Sequence, residues 1–174
     1  MIINEVTMPE ITDEDIRQQA VELGSVLTRA GAMLVTAESC TGGWVAKAMT
    51  DQAGSSAYVT GGLVTYSNHA KHALLGVSEQ TLAEHGAVSE PVVRQMVAGA
   101  LRASGASVAI SISGVAGPGG GSDAKPVGAV WFAWGSAENI STGLKHFDGD
   151  RDQVRRQAVI FAIESVRRFL SSDI

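Results

Sequence analysis

Residues 32–49 read AMLVTAESCTGGWVAKAM, and this stretch decides the fold. Ala32 to Ala37 is a short apolar run of strand length, while Trp44, Val45, Ala48 and Met49 recur at helical spacing. Between them, SCTGG is too short to be anything but a tight turn, so the segment predicts strand, turn, helix. The same alternation continues outward. Upstream, Thr12 is a predicted N-cap, Ile16, Ala20, Leu23 and Leu27 share one helical face, and Gly31 offers a left-handed stop. Downstream, Tyr58–Tyr66 is β-rich with a Gly61-Gly62 interruption suited to a bulge or a close backbone approach. Asn68 and Ser78 are predicted to cap two short helices that end at Gly76 and Gly86, and Ser89 opens a longer helix ending near Gly105.

Ser107–Ser113 reads as a buried strand that runs into GVAGPGGGSDAKPVG, the most glycine-dense stretch of the chain. Val127–Trp134 and Asn139–Phe147 follow as a predicted hairpin around Gly135 and Ser136. Asp150 and Gln153 form a capping-box pattern before a last helix whose stripe is Val154, Ala158, Phe161, Ala162, Ser165, Val166 and Phe169. Strands and helices alternate early and strands dominate later. The expectation is therefore one domain, residues 12–174, after a tail over 1–11: a three-layer α/β/α sandwich on a mixed β-sheet.

Composition narrows the function. The 174 residues suffice for a substantial core, and 45% hydrophobic against 18% charged residues is the balance of a compact fold rather than a disordered one. A net charge of -5 without any Lys/Arg run argues against a nucleic-acid or anionic-membrane surface and for a small-molecule ligand. Cys40 is the only cysteine, so there is neither an internal disulfide nor a thiolate cluster for zinc. With no signal-like start and no apolar run of membrane-spanning length, a soluble cytoplasmic protein is expected.

In such sheets ligands bind where strand-to-helix loops converge at the carboxyl ends of parallel strands. SCTGG and SGVAGPGGG both leave strand ends. Gly42 and Gly43 strip side chains from the first helical turn and leave N–H groups open to an anion or oxyanion, although Thr41 as a plain N-cap accounts for the same residues. The loop headed by Gly114, Ala116 and Gly117 is either a backbone cradle or a surface turn. It is not a Walker loop, because no Lys-Ser/Thr follows the glycines, and it lacks the dinucleotide fingerprint. His69 and His72 lack a carboxylate to complete a metal site and read as surface histidines, and His85 reads as structural. Lys71 falls in the first turn of a helix, an electrostatically unfavourable place that is expected to depress its pKa toward that of a general base, with Tyr66 at the preceding strand end. A solvated Lys beside a packed Tyr is the plainer alternative. Arg151 stands similarly at the start of the last helix, available either to an anion or to ion pairs with Asp148 or Asp152.

Six blocks in chain order, TAESCTGG, DQAGSSAYVTGGLVTYSN, HGAVSEPVV, SISGVAGPGGGS, KPVGAVWFAW and GDRDQVRRQA, resemble the C-terminal domain of the CinA family across roughly residues 15–170. The stand-alone form of that domain is a nicotinamide-nucleotide amidohydrolase. The resemblance therefore implies hydrolysis of the carboxamide of nicotinamide mononucleotide to nicotinate mononucleotide and ammonia, in pyridine-nucleotide recycling, with no metal or organic cofactor. It implies Ser39 as nucleophile, Tyr66 and Lys71 as the residues that activate it, and self-association of unspecified number. Cys40 is expected to be a bystander whose side chain points away from that of Ser39. For the substrate phosphate, a helix N-terminus helped by Ser55, Ser56 or Arg151 is expected. Many relatives carry an additional N-terminal domain resembling molybdopterin-binding proteins, and functions tied to that domain are not expected here. The competing expectation is a non-catalytic ligand-binding or oligomeric scaffold module, and a Ser-Lys peptidase or lactamase is a third.

Overall fold

The computed structural model describes residues 9–172, so most of the tail predicted over 1–11 lies outside the described residues. Helix α1 (Asp13–Ala30) begins at Thr12, whose side chain and that of Asp15 form a reciprocal capping box, and it ends on left-handed Gly31. Strand β1 (Leu34–Glu38) and helix α2 (Trp44–Thr50) flank the SCTGG turn. A single 3-10 turn at Ser55–Ala57 leads into β2 (Val59–Val64). Helices α3 (Asn68–Leu75), α4 (Glu79–His85) and α5 (Glu90–Ser104) follow in sequence. Strands β3 (Val108–Gly114), β4 (Ala129–Gly135) and β5 (Ile140–His146) and helix α6 (Arg151–Ser172) complete the described chain.

The sheet order is β2-β1-β3-β4-β5. Strand β1 pairs in parallel with both β2 and β3, whereas β3, β4 and β5 are joined antiparallel, so the sheet is mixed. Because side chains alternate across a strand, Val108, Ile110 and Ile112 enter the core shared with α1, α2 and α6, while Val35, Ala37 and Ala109 face the core built on α3, α4 and α5. Small residues on the second face let α5 lie close. Gly99 is required there, since a Cβ on it would sit 1.9 Å from the Leu75 carbonyl oxygen. The Gly61-Gly62 interruption serves both purposes expected of it. The register slips between Leu34 and Val35 opposite Val59 and Gly61, and a Cβ on Gly62 would come 2.6 Å from that of Ala46 in α2.

Three local expectations shift. The cap of α3 is Ser67, whose side chain accepts from the Ala70 N–H, rather than Asn68. The capping box before α6 is only half made. Asp150 accepts from the Gln153 N–H at 2.9 Å, but the Gln153 amide bonds the backbone of Ile11 instead of returning to Asp150. Thr41 does not cap α2, for the reason given next.

Candidate active site

The turn after β1 is held from two sides. Glu38, fully buried at the end of the strand, accepts four hydrogen bonds: from the Thr41 hydroxyl at 2.6 Å and from the N–H groups of Gly43, Val45 and Ala46 at 3.1, 3.1 and 2.9 Å. An anion at a helix N-terminus is stabilised by the unpaired N–H groups and the helix dipole. Here the protein supplies that anion itself. From the other side Arg155 of α6 donates to the carbonyls of Cys40 (3.0 Å) and Thr41 (3.1 Å) while its guanidinium lies over the Trp44 ring. Gly42 and Gly43 adopt positive φ, 62° and 93°, as the sharp reversal requires. The expectation of open donors at Gly42 and Gly43 is thereby corrected. Gly42 N–H closes onto the Ser39 carbonyl at 3.0 Å and Gly43 N–H onto Glu38, and the buried Thr41 side chain is spent on Glu38.

What the turn presents is Ser39. Its Oγ lies 2.9 Å from the Nζ of Lys71, which is 1% exposed. Side chains on a helix tilt toward its N-terminus, so Lys71, one turn into α3, reaches back over the loop that precedes the helix. There it also donates to the carbonyls of Thr65 (2.8 Å) and Tyr66 (3.1 Å). Burial lowers its pKa from 10.5 to about 8. The direction agrees with the expectation, but desolvation is the leading cause rather than the position in the helix. A neutral amine has two N–H donors and one lone pair. Two of the three partners are carbonyls that can only accept, so the neutral form aims its lone pair at the third, the Ser39 hydroxyl.

Tyr66 contributes differently from expectation. Its backbone carbonyl touches Lys71 and lies 3.4 Å from the Ser39 hydroxyl, but the residue is 62% exposed and its phenol accepts a hydrogen bond from Arg151 at 3.2 Å. Arg151 also donates to the Gly117 carbonyl at 2.8 Å, and among the described residues it pairs with neither Asp148 nor Asp152. The acid Asp152 bonds Arg156. Burial pushes the Cys40 thiol up to about 11, so at neutral pH it is not a nucleophile.

Ser39, Tyr66, Lys71 and Arg151 line one cavity of about 300 Å³ with Ser113 and the loop residues Gly114, Ala116 and Gly117. A cavity of about 630 Å³ adjoins it, sharing Ala116 and Arg151 and adding Arg155, Asp150 and Asp152. Glycine has a steric reason at two of the loop positions: a Cβ at Gly114 would strike Val130 at 2.6 Å, and one at Gly117 would strike Val127 at 2.5 Å. Ser55 and Ser56 do not reach the site. They precede β2, and since β2 runs parallel to β1 they lie beside its Leu34 end, the full strand length from Ser39. Among the described residues no cluster of His, Cys, Asp and Glu is arranged to hold a metal ion. Glu38 and Arg155 escaped the sequence reading. A lone acid ending an apolar strand just before a helix start was the available signal for the first, and nothing local marked the second.

Comparison with known proteins identifies the family. A family model for the CinA C-terminal domain matches residues 16–170. The chain is 54% identical over 164 residues to the nicotinamide-nucleotide amidohydrolase PncC of Escherichia coli strain K12, an alignment spanning 93% of this chain and 99% of that protein. The PncC of Pseudomonas putida is 52% identical over 153 residues, covering 88% and 96% respectively. Among solved structures, a CinA superfamily protein from Klebsiella pneumoniae matches with a TM-score of 0.87 at 43% identity, over 90% of this chain and 98% of that one.

Proposed function

The chain belongs to the CinA family through its C-terminal domain, and on that premise we propose that it hydrolyses the carboxamide of nicotinamide mononucleotide, yielding nicotinate mononucleotide and ammonia. The observation that carries this reading is the buried Lys71 amine 2.9 Å from Ser39 Oγ, in a cavity bordered by a cation. The identity to amidohydrolases over nearly their whole length supports the substrate. Such an activity fits recycling of pyridine nucleotides.

In this mechanism neutral Lys71 takes the Ser39 proton as Oγ attacks the carboxamide carbon. The new C–O bond forms while the carbonyl π pair moves onto oxygen. The resulting ammonium then protonates the amide nitrogen, the C–N bond breaks, and ammonia leaves a nicotinoyl ester on Ser39. Water, deprotonated by the same amine, attacks the ester, and the Ser39 oxygen recovers its proton as the acid product departs. At neutral pH a pKa of about 8 keeps roughly a tenth of the lysine in the basic form, enough for turnover and close to the optimum for a general base. Tyr66 holds the amine through its backbone carbonyl, and its phenol and Arg151 border the entrance. Arg151, with Arg155 behind it, is suited to the substrate phosphate in the adjoining cavity. The chemistry assigned to Ser39 and Lys71 requires no metal.

Ammonia release from nicotinamide mononucleotide in buffer containing EDTA tests the proposal. The purified protein releases it and the Ser39→Ala variant does not; no release by the wild type, or equal release by both, overturns it.

A further inference from the structure

A serine amidase must stabilise the negative oxygen of its tetrahedral intermediate, and the donors that a strand-turn-helix nucleophile would ordinarily find at the following helix are taken. Glu38 occupies the N–H groups of Gly43, Val45 and Ala46, and the Gly42 N–H is closed onto Ser39 itself. Among the described residues the N–H groups of Cys40 and Thr41 have no hydrogen-bond acceptor, and a side chain on the cavity wall would add a further donor. One side chain stands out there. Ser113, at 1% exposure, lines the cavity with Ser39 and Lys71, and its hydroxyl is not among the sealed-off unpaired ones, those of Thr36 and Thr65.

Sheet register fixes where that hydroxyl lies. Glu38 of β1 is paired with Ile112 of β3, and the ladder continues through the Ser39 N–H to the Ile112 carbonyl at 3.0 Å, so Ser113 is the neighbour of Ser39 on the adjacent strand. Both face the same way. Ala37 and Ser111, two residues earlier, look toward α5, where the Ser111 hydroxyl bonds the Val93 carbonyl, and α3 on that side delivers Lys71 to Ser39. Neighbouring strands are about 5 Å apart. That gap accommodates a carbonyl carbon bonded to Ser39 with its oxygen about 3 Å from a donor on the next strand.

Resting on the amidohydrolase reading, we propose that the Ser113 hydroxyl is a catalytic oxyanion donor, hydrogen-bonding the oxygen that becomes negative when Ser39 attacks. Lys71, protonated at that moment, flanks the same oxygen from α3. The Ser113 contribution therefore arises in the transition state and not in substrate binding. Ser113→Ala lowers kcat by about 100-fold or more while leaving KM within a few fold, as for other single oxyanion donors.

The test uses two substrates: nicotinamide mononucleotide, and p-nitrophenyl acetate, whose attack by Ser39 passes through the same kind of oxyanion whatever the natural amide is. Rates are taken as the Ser39-dependent part, wild type minus Ser39→Ala, and the unfolding midpoint of Ser113→Ala is compared with that of wild type. The expected result is an unchanged midpoint, a loss of about 100-fold in the Ser39-dependent rate on the ester, and no further loss when Ser113→Ala is added to Ser39→Ala. An unchanged rate, a change in KM alone, or an equal loss in the Ser39→Ala background overturns the assignment. Failure to release ammonia from the nucleotide with a normal Ser113 effect on the ester overturns the proposed substrate and leaves Ser113 in its role.

Discussion

Replacing Lys71 by Met keeps an unbranched chain of similar length while removing the amine, and its effect on stability depends on pH in a direction the structure dictates. The ammonium is enclosed with no acidic partner among the described residues, and burial lowers its pKa from 10.5 to about 8. At about 1.4 kcal/mol per pH unit that gap corresponds to roughly 3 kcal/mol, and solvent entering through the cavity mouth reduces the expected effect to about 2 kcal/mol. Below pH 8 both folded and unfolded chains carry the proton, and the folded state bears the whole cost of holding the charge. Between about 8 and 10.5 the folded protein sheds its proton while the unfolded chain retains it, so the cost falls away as pH rises. Above that window it is gone. The Lys71→Met change also leaves the Thr65 and Tyr66 carbonyls without a donor, a loss independent of pH that cancels when the difference between the two proteins is followed across pH. Urea unfolding of wild type and Lys71→Met at intervals from pH 7 to 10.5 therefore shows wild type gaining about 2 kcal/mol relative to the variant. A difference that stays flat, or that moves the other way, refutes the claim that Lys71 is held as a desolvated base.

Glu38→Gln puts an amide donor against N–H groups that already donate to both carboxyl oxygens, so unfolding free energy falls by roughly 2–4 kcal/mol by urea titration; a loss below about 0.5 kcal/mol, the size of an ordinary surface substitution, contradicts the internal-anion assignment. Arg151→Ala raises KM for nicotinamide mononucleotide by about tenfold, the equivalent of one charge-assisted contact, and changes that for the dephosphorylated riboside far less; equal effects remove Arg151 from phosphate recognition. Cys40→Ala retains steady-state activity within a few fold and the wild-type thiol resists alkylation near neutral pH, because its pKa of about 11 leaves only about one molecule in ten thousand as thiolate; rapid alkylation with loss of activity contradicts that.

Features written in local sequence were the readable ones. Thr12, Gly31, Ser78, Gly76 and Gly105 mark helix ends through contacts within a few residues, and all lie where the pattern puts them. The alternation around SCTGG similarly foretold the parallel strands and the mixed sheet. Misreadings arose where direction in space decides. Glu38 reaches only three to eight residues along the chain, yet whether a strand-end carboxyl turns inward under the next helix is set by the packing of α2 on the sheet. Ser55 and Ser56 resemble phosphate ligands until the parallel pairing of β2 carries them to the opposite end of the strands. Arg155 holds carbonyls more than a hundred residues away, a contact no spacing encodes. Resemblance to the family singled out Ser39, Tyr66 and Lys71 together, whereas the coordinates separate the tyrosine into a carbonyl that serves the lysine and a phenol that serves Arg151.

The most direct measurement is rapid acid quenching of the protein with nicotinamide mononucleotide, followed by mass spectrometry of the peptide carrying Ser39, Cys40 and Thr41, across pH 6 to 10. The account predicts a nicotinoyl-nucleotide ester on Ser39 whose formation rate climbs through a single ionisation near pH 8 and then levels, and which Lys71→Met does not form. An adduct on Cys40 or Thr41, ammonia release without any covalent species on Ser39 in the first turnover, or a formation rate indifferent to pH across that range contradicts it.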